Sequence, residues 1–414
     1  MVLAIMAVTV LAAQDTLVVD LRSAAARAVA ASPVVAAAVG AVRQPWGIRA
    51  EVSWPFPDNP VLEYGRVRRR TGLSTALDRE WSVSQELEVA GQWVFRRSAA
   101  GALIRSAEAR VDDARRLVGL EVRRAYAALA VDERRAALTD SAAVFAERLA
   151  VFARRQFDAG ESNRLEWNAA VIEAARARSA AERARAGAQA AAADLARLLA
   201  LPADTALRTA GLPAMPDVSW PSDSVLLAMA EARRPDLEAA RAAREGAARF
   251  VTATRLSRVP NLTVTALGGR EAGTDNLLGV AVGVRVPLFH RQQAGLGAAR
   301  AADAAAVAGE VAALRGVRTE VLSAAARFAR TRAAEQRFAS DVLRAATENV
   351  ALTERALAEG EVSVSDVLVL RGAAVAAQLE YLEVMGEVAG AWFELAAALA
   401  VEPDGLPGLL RGGN

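Results

Sequence analysis

A glycine turn written at residues 154–166 is written again about 200 residues later, and the segments around both copies keep the same register. The first copy reads Arg154-Arg155-Gln156-Phe157-Asp158-Ala159-Gly160-Glu161-Ser162-Asn163-Arg164-Leu165-Glu166. Ahead of it lie about sixty residues rich in Ala, Arg and Glu without a proline, and the same composition resumes up to Pro202. Gly160 fits the position just past a helix end, because only glycine enters the left-handed region without a steric penalty. Asn163 then fits an N-cap, with Glu166 three residues on completing a capping box. The second copy runs Arg355-Ala356-Leu357-Ala358-Glu359-Gly360-Glu361-Val362-Ser363-Val364-Ser365-Asp366. Gly160 maps onto Gly360, Glu161 onto Glu361, and the Asn163/Glu166 cap onto Ser363/Asp366. Each turn therefore joins two long helices into a hairpin.

The remaining chain repeats in step. Residues 18–31 read as a short amphipathic helix, and Ser32-Pro33 as N-cap and first residue of the next. Residues 61–67 and 81–87 read as strands, the second alternating Trp81, Val83 and Leu87 with Ser82, Ser84 and Glu86. Arg66, Arg68, Arg69 and Arg70 fall in the loop expected between them. A helical run covers residues 92–158 and the hairpin returns through Leu195 and Leu199. After Pro202, Pro213, Pro216 and Pro221 the plan restarts, with Pro235 as a helix N1 and Arg234 in the place of Ser32. Leu262, Val264 and Ala266 alternate with Thr263 and Thr265, and Val280, Val282, Val284 and Val286 with smaller or polar residues. Gly268, Gly269, Gly273, Asp275 and Asn276 supply the expected turn. A second long helical run is expected over residues 292–358, returning through Leu395 and Leu399. The offset holds at 200–202 residues, which marks an internal duplication. The domain reading is a leader at 1–13, a first repeat at 14–202, a connector at 203–222, a second repeat at 223–402 and a tail at 403–414.

Composition excludes several functions. The 50 basic residues are all arginine and face 48 acidic ones, a net charge of +2 that gives nucleic-acid binding no support. There is no cysteine, hence no disulfide, thiolate metal site or cysteine nucleophile. The single histidine, His290, lacks the spaced partners of a metal site. Glu359 and Glu361 sit at a helix tip with no pocket-forming sequence around them, so they read as surface charge rather than a general acid–base pair. No phosphate loop or nucleophile motif occurs, so neither an enzyme nor a cofactor is expected. Residues 1–13 are apolar and end in Ala12-Ala13, like the core and cleavage site of a secretory signal, without its basic start. The expectation is an exported protein with a truncated leader and no N-terminal acyl anchor.

At 1.5 Å per residue, about 65 helical residues span roughly 100 Å. Each half is then a rod with strands at one end and the glycine turn at the other, mainly α with a small β part. Four strands with one apolar face cannot close a membrane barrel alone, whereas two copies give eight strands and three give twelve. A coiled-coil scaffold is the competing class, and it would need no strands.

Pro33-Val34-Val35-Ala36, Asn59-Pro60-Val61-Leu62, Gln85-Glu86-Leu87-Glu88 before Gly91, Val286-Pro287-Leu288-Phe289 and the two glycine turns together resemble the outer-membrane efflux protein (TolC) family over residues 17–402. The stretch from Gln85 to Gly91 is most similar to the heavy-metal (CzcC-like) branch. The resemblance implies a homotrimer with a twelve-stranded outer-membrane β-barrel in lipid and a periplasmic α-barrel. It also implies a periplasmic adaptor and an inner-membrane transporter, such as one of the RND type, as partners. Phe157, Gly160, Glu161, Leu357, Gly360 and Glu361 would form the adaptor-docking tips. Asp366 matches an aspartate that rings the periplasmic constriction in family members, with Glu166 at the equivalent position of the first hairpin. A second family acid is Val369 here. The first half departs from the pattern, with Pro45, Pro55 and Pro57 breaking a helix that the second half keeps whole to Val259.

Overall fold

The computed structural model describes residues 16–72, 74–202, 204–216, 221–272, 275–359 and 362–411, so the leader-like residues 1–13 lie outside it. The chain forms two compact units, and each draws on both sequence repeats. One comprises residues up to Ala36, 114–233 and 318 onward; the other comprises 37–113 and 234–317. Among the described residues no single helix is long and apolar enough to cross a membrane.

The second unit carries the sheet. Its strands are β2 (Val61–Thr71), β3 (Ser74–Leu87), β5 (Leu262–Glu271) and β6 (Asp275–Val284), in the antiparallel order β2-β3-β5-β6. The hairpins are longer than the alternation alone implied. Arg66, Arg68, Arg69 and Arg70 lie on β2 rather than in a loop, because Gly72 at φ +59° lets the chain reverse within the next few residues. Gly268, Gly269, Asp275 and Asn276 likewise belong to the ladder, and Gly273 lies outside the described residues. At Gly269 a Cβ would stand 2.4 Å from the carbonyl oxygen of Arg79, so glycine there permits close pairing and is not a turn residue. Strand β6 ends at Val284, short of Val286, whose neighbour Pro287 has no N–H to extend the ladder.

Around the sheet, α2 (Pro33–Ala41) and α3 (Arg43–Glu51) precede β2, and α7 (Pro235–Leu256) precedes β5. Pro45 does not break the first of these segments. It sits in the opening turn of α3, where its missing N–H costs nothing. The helical path ends at Glu51, before Pro55 and Pro57. In the part of α4 (Gln92–Asp158) that belongs to this unit, Ser106 donates to the Ala239 carbonyl at 2.8 Å, and Gly246 leaves room for the Ala99 backbone.

In the helical unit, α1 (Leu21–Ala31) starts later than the sequence reading. Asp20 caps it, accepting from the Arg22 and Ser23 amides at 3.0 and 2.9 Å. The preceding residues form β1 (Leu17–Val19), paired in parallel with β4 (Leu207–Thr209). Strands of three residues leave no period to read, which is why this pairing escaped the sequence. Val19, Ala28, Val122, Tyr126, Leu195 and Leu199 build the core beneath it. Each buried leucine there contributes about 1.5–3 kcal/mol by leaving water. The Tyr126 hydroxyl donates toward the Val19 and Gly211 carbonyls and accepts from the Ala210 amide at 3.1 Å. Burial pushes its pKa up.

The return helices α5 (Arg164–Leu198) and α10 (Val364–Ala398) end alike. Ala200 and Ala400 both adopt the left-handed conformation, at φ +50° and +51°. The Leu201 amide bonds to the Ala196 carbonyl and the Val401 amide to the Ala396 carbonyl, each at 2.9 Å. One halfway difference separates the hairpins. Helix α4 is continuous over 67 residues, whereas α8 (Gln293–Arg337) passes through a π-helical turn, Phe338–Leu343, before α9 (Arg344–Glu359). The second run is helical throughout, with the π-helical turn inside it. The wider turn sets Phe338 against Tyr381, with ring centroids 6.3 Å apart.

Candidate functional site

The candidate site is the pair of hairpin turns, both within the helical unit. At the first, the Glu161 amide reaches back to the Gln156 carbonyl at 2.8 Å and the Gly160 amide to the Phe157 carbonyl at 3.0 Å. These are the two bonds of a Schellman ending, with Gly160 at φ +78° as its left-handed residue. Asn163 caps α5, accepting from the Glu166 amide at 3.0 Å while its own amide donates to the Glu166 carboxylate at 3.1 Å. Phe157 stacks on Trp167 across the turn, centroids 5.3 Å apart, and the Arg154 guanidinium lies over the same indole at 5.6 Å. Trp167 was not singled out from the sequence. Its signal was its place one helical turn beyond the cap, where it faces the last turn of α4.

At the second turn, Gly360 and Glu361 lie outside the described residues. Ser363 and Asp366 form a reciprocal capping box at the start of α10. The Ser363 hydroxyl and amide donate to the Asp366 carboxylate at 2.7 and 3.1 Å, and the Asp366 amide returns to the Ser363 hydroxyl at 3.2 Å. These bonds hold the Asp366 carboxyl below the usual aspartate range. Asp366 stays exposed, as does Val369 one turn on.

The fold brings the two turns together. Leu149, Ala153, Ala170, Val364 and Val367 form one buried cluster, and Leu357 packs against it. Leu357 is thus a packing residue between hairpins, while Phe157 is half-buried against Trp167 and Glu161 is exposed. The Arg371 guanidinium sits 4.5 Å from the Phe145 ring in a groove of about 420 Å³ between α4, α5 and α10. His290 is exposed, and among the described residues no group of three or more His, Asp or Glu could hold a metal ion. Among the described residues the arrangement offers caps, charge and an apolar seam.

Known structures share this fold. A membrane protein from Pseudomonas aeruginosa aligns at TM-score 0.76 and 21% identity, covering 92% of this chain and 90% of that one. The outer-membrane channel OprN aligns at 0.77 and 17%, with the same two coverages. The outer membrane protein VceC from Vibrio cholerae aligns at 0.73 and 18%, covering 92% and 96%. Among curated proteins no sequence match is found. The outer membrane efflux protein family model matches in two blocks, residues 59–201 and 226–401, each holding one strand pair and one hairpin. Because those blocks take in most of the chain, it belongs to the outer membrane efflux protein family.

Proposed function

We propose that three copies of this chain close their sheets into one twelve-stranded barrel, continued by the hairpins as a conduit across the periplasm. The protein is the outer-membrane channel component of a tripartite efflux system, which works with an adaptor and an inner-membrane pump. The observation that carries the trimeric reading is the sheet itself. In the order β2-β3-β5-β6, strands β2 and β6 are edges with no further strand among the described residues. One face exposes Leu62, Tyr64, Leu278 and Val280 at 65–85%. An apolar face belongs in lipid, and an open edge there leaves backbone groups without partners. Further copies of the same sheet satisfy both demands, and closed symmetry is the default for identical chains.

The hairpin turns are the proposed contact with the adaptor, through Phe157, Gly160, Glu161, Leu357, Gly360 and Glu361. Asp366, exposed and held ionised by its cap, is the proposed gate carboxylate, with Glu166 beside the first turn as a second charge. The test is the mass of the detergent-solubilised protein together with conductance in planar bilayers. A trimer with a conducting lumen is expected; a monomer or dimer without conductance overturns the reading.

A further inference from the structure

The strand register assigns each residue of β2, β3, β5 and β6 to one of two faces. The face bearing Leu62, Val83, Ala266 and Val280 in one row carries Tyr64, Trp81, Gly268 and Leu278 in the next row toward the hairpin tips. The Trp81 ring lies over Gly268, where an added Cβ would meet it at 2.8 Å. One row further on, the apolar character stops. Arg66 stands directly opposite Arg79, and Arg79 directly opposite Arg270. Arg68 and Arg70 follow on the same face.

Three arginines abreast on adjacent strands repel one another at Cβ spacings of about 5 Å unless something neutralises them. No carboxylate does so: none of Arg66, Arg68, Arg70, Arg79 and Arg270 forms an ion pair among the described residues. The acids lie on the other face, where Glu63, Asp78, Glu80 and Glu271 sit. Arg69, also on that face, is the arginine that is paired, with Asp78 at 3.0 Å and with Glu271. The unpaired row thus stands on the face that is otherwise the most apolar.

From Leu87 to Trp81 this face runs over six residue steps, or about 20 Å of strand that is apolar but for Gln85. Tyr64 and Trp81 then sit where a membrane barrel places its aromatic girdle, and the arginines sit one row beyond. The tips point away from the strand ends that join the helices, so this row lies at the leaflet far from the periplasm. We propose that Arg66, Arg79 and Arg270, with Arg68 and Arg70 above them, bind the phosphate groups of an anionic lipid in that outer leaflet. Planar guanidinium forks match phosphate oxygens two at a time, and the apolar rows below receive the acyl chains. The inference rests on the reading that this face meets lipid.

The test uses the full chain in nanodiscs of zwitterionic phospholipid doped with a phosphorylated glycolipid, and native mass spectrometry reads the lipid retained. The combined variant Arg66→Gln, Arg79→Gln, Arg270→Gln is compared with wild type and with Arg110→Gln, Arg300→Gln, Arg315→Gln, an equal charge change on exposed helix positions. Wild type and the helix variant are expected to retain the phosphorylated lipid. The sheet variant should bind it on the order of a hundredfold more weakly. The single variant Arg79→Gln, which relieves repulsion at the centre of the row, should fold and show an intermediate loss. Equal retention by all variants, or equal loss in the helix variant, overturns the proposal. Displacement of the lipid by millimolar inorganic phosphate would make this a site for a free anion and overturn it too. Failure of the wild type to enter nanodiscs at all sinks the lipid-facing reading beneath it, an outcome distinct from insertion without lipid preference.

Discussion

Phe157 and Trp167 face each other across the first hairpin turn, their rings 5.3 Å apart and inclined by 24°. The contact joins the last turn of α4 to the first turn of α5 where the backbone has only the Gly160 reversal to hold it. An aromatic pair of this kind is worth about 0.5–1.5 kcal/mol beyond its buried area. Trp167→Ala is expected to speed amide exchange over residues 156–167 and to leave exchange in the Tyr126 core unchanged. Hydrogen exchange read by mass spectrometry checks this; unchanged protection at the turn would mean that the stack holds nothing.

Gly160 is the residue that makes the reversal possible, at φ +78°, and nothing stands within 4 Å of an added Cβ. The penalty for Gly160→Val is therefore backbone strain alone, on the order of 1–2 kcal/mol. The variant should reach the outer membrane and assemble at normal abundance but lose efflux. Full efflux at normal abundance would remove the turn from the adaptor contact.

Ala200 and Ala400 carry the same strain without glycine's freedom. Ala400→Gly should relieve about 1 kcal/mol of it, partly offset by the looser unfolded chain. A small rise in the thermal midpoint of the detergent-solubilised protein is expected, with Ala200→Gly behaving alike. A fall would show that the alanine methyl packs usefully.

Asp366 titrates below the ordinary aspartate range because Ser363 donates to its carboxylate twice. Its folded pKa is depressed, so its contribution to stability is present above the unfolded value near 3.8 and is lost as pH falls through the folded value. At neutral pH the group is an anion, and in a threefold assembly three such anions would attract cations. Asp366→Asn keeps a cap-competent side chain while removing the charge. Conductance should change and block by divalent cations should weaken. With Val369 at the second acid's place, wild-type block is expected to be mild. Identical conductance and block in both proteins would leave Asp366 as a cap only.

The sequence by itself determined what depends on local dihedral preference and short spacing. Gly160 as a left-handed helix ending, Asn163 and Ser363 as caps and the helix from Gln92 to Asp158 follow from residues within a few positions of one another, and the duplication follows from the constant offset of these signals along the chain. Even the terminal alanines at 200 and 400 repeat in that register. Tertiary structure decided what depends on pairing between distant segments. Tyr126 gave no sign that its hydroxyl would serve Val19, Ala210 and Gly211, because β1 and β4 are too short to announce themselves. Leu357 could be placed in a helix but not against Leu149 and Ala153 of the other hairpin. The arginines of β2 show the limit most sharply. A strand alternates faces residue by residue, so a slip of one position would send Arg66 to the acidic face and Arg69 to the apolar one. Only the ladder joining β2 to β3 and β3 to β5 sets Arg66, Arg79 and Arg270 side by side.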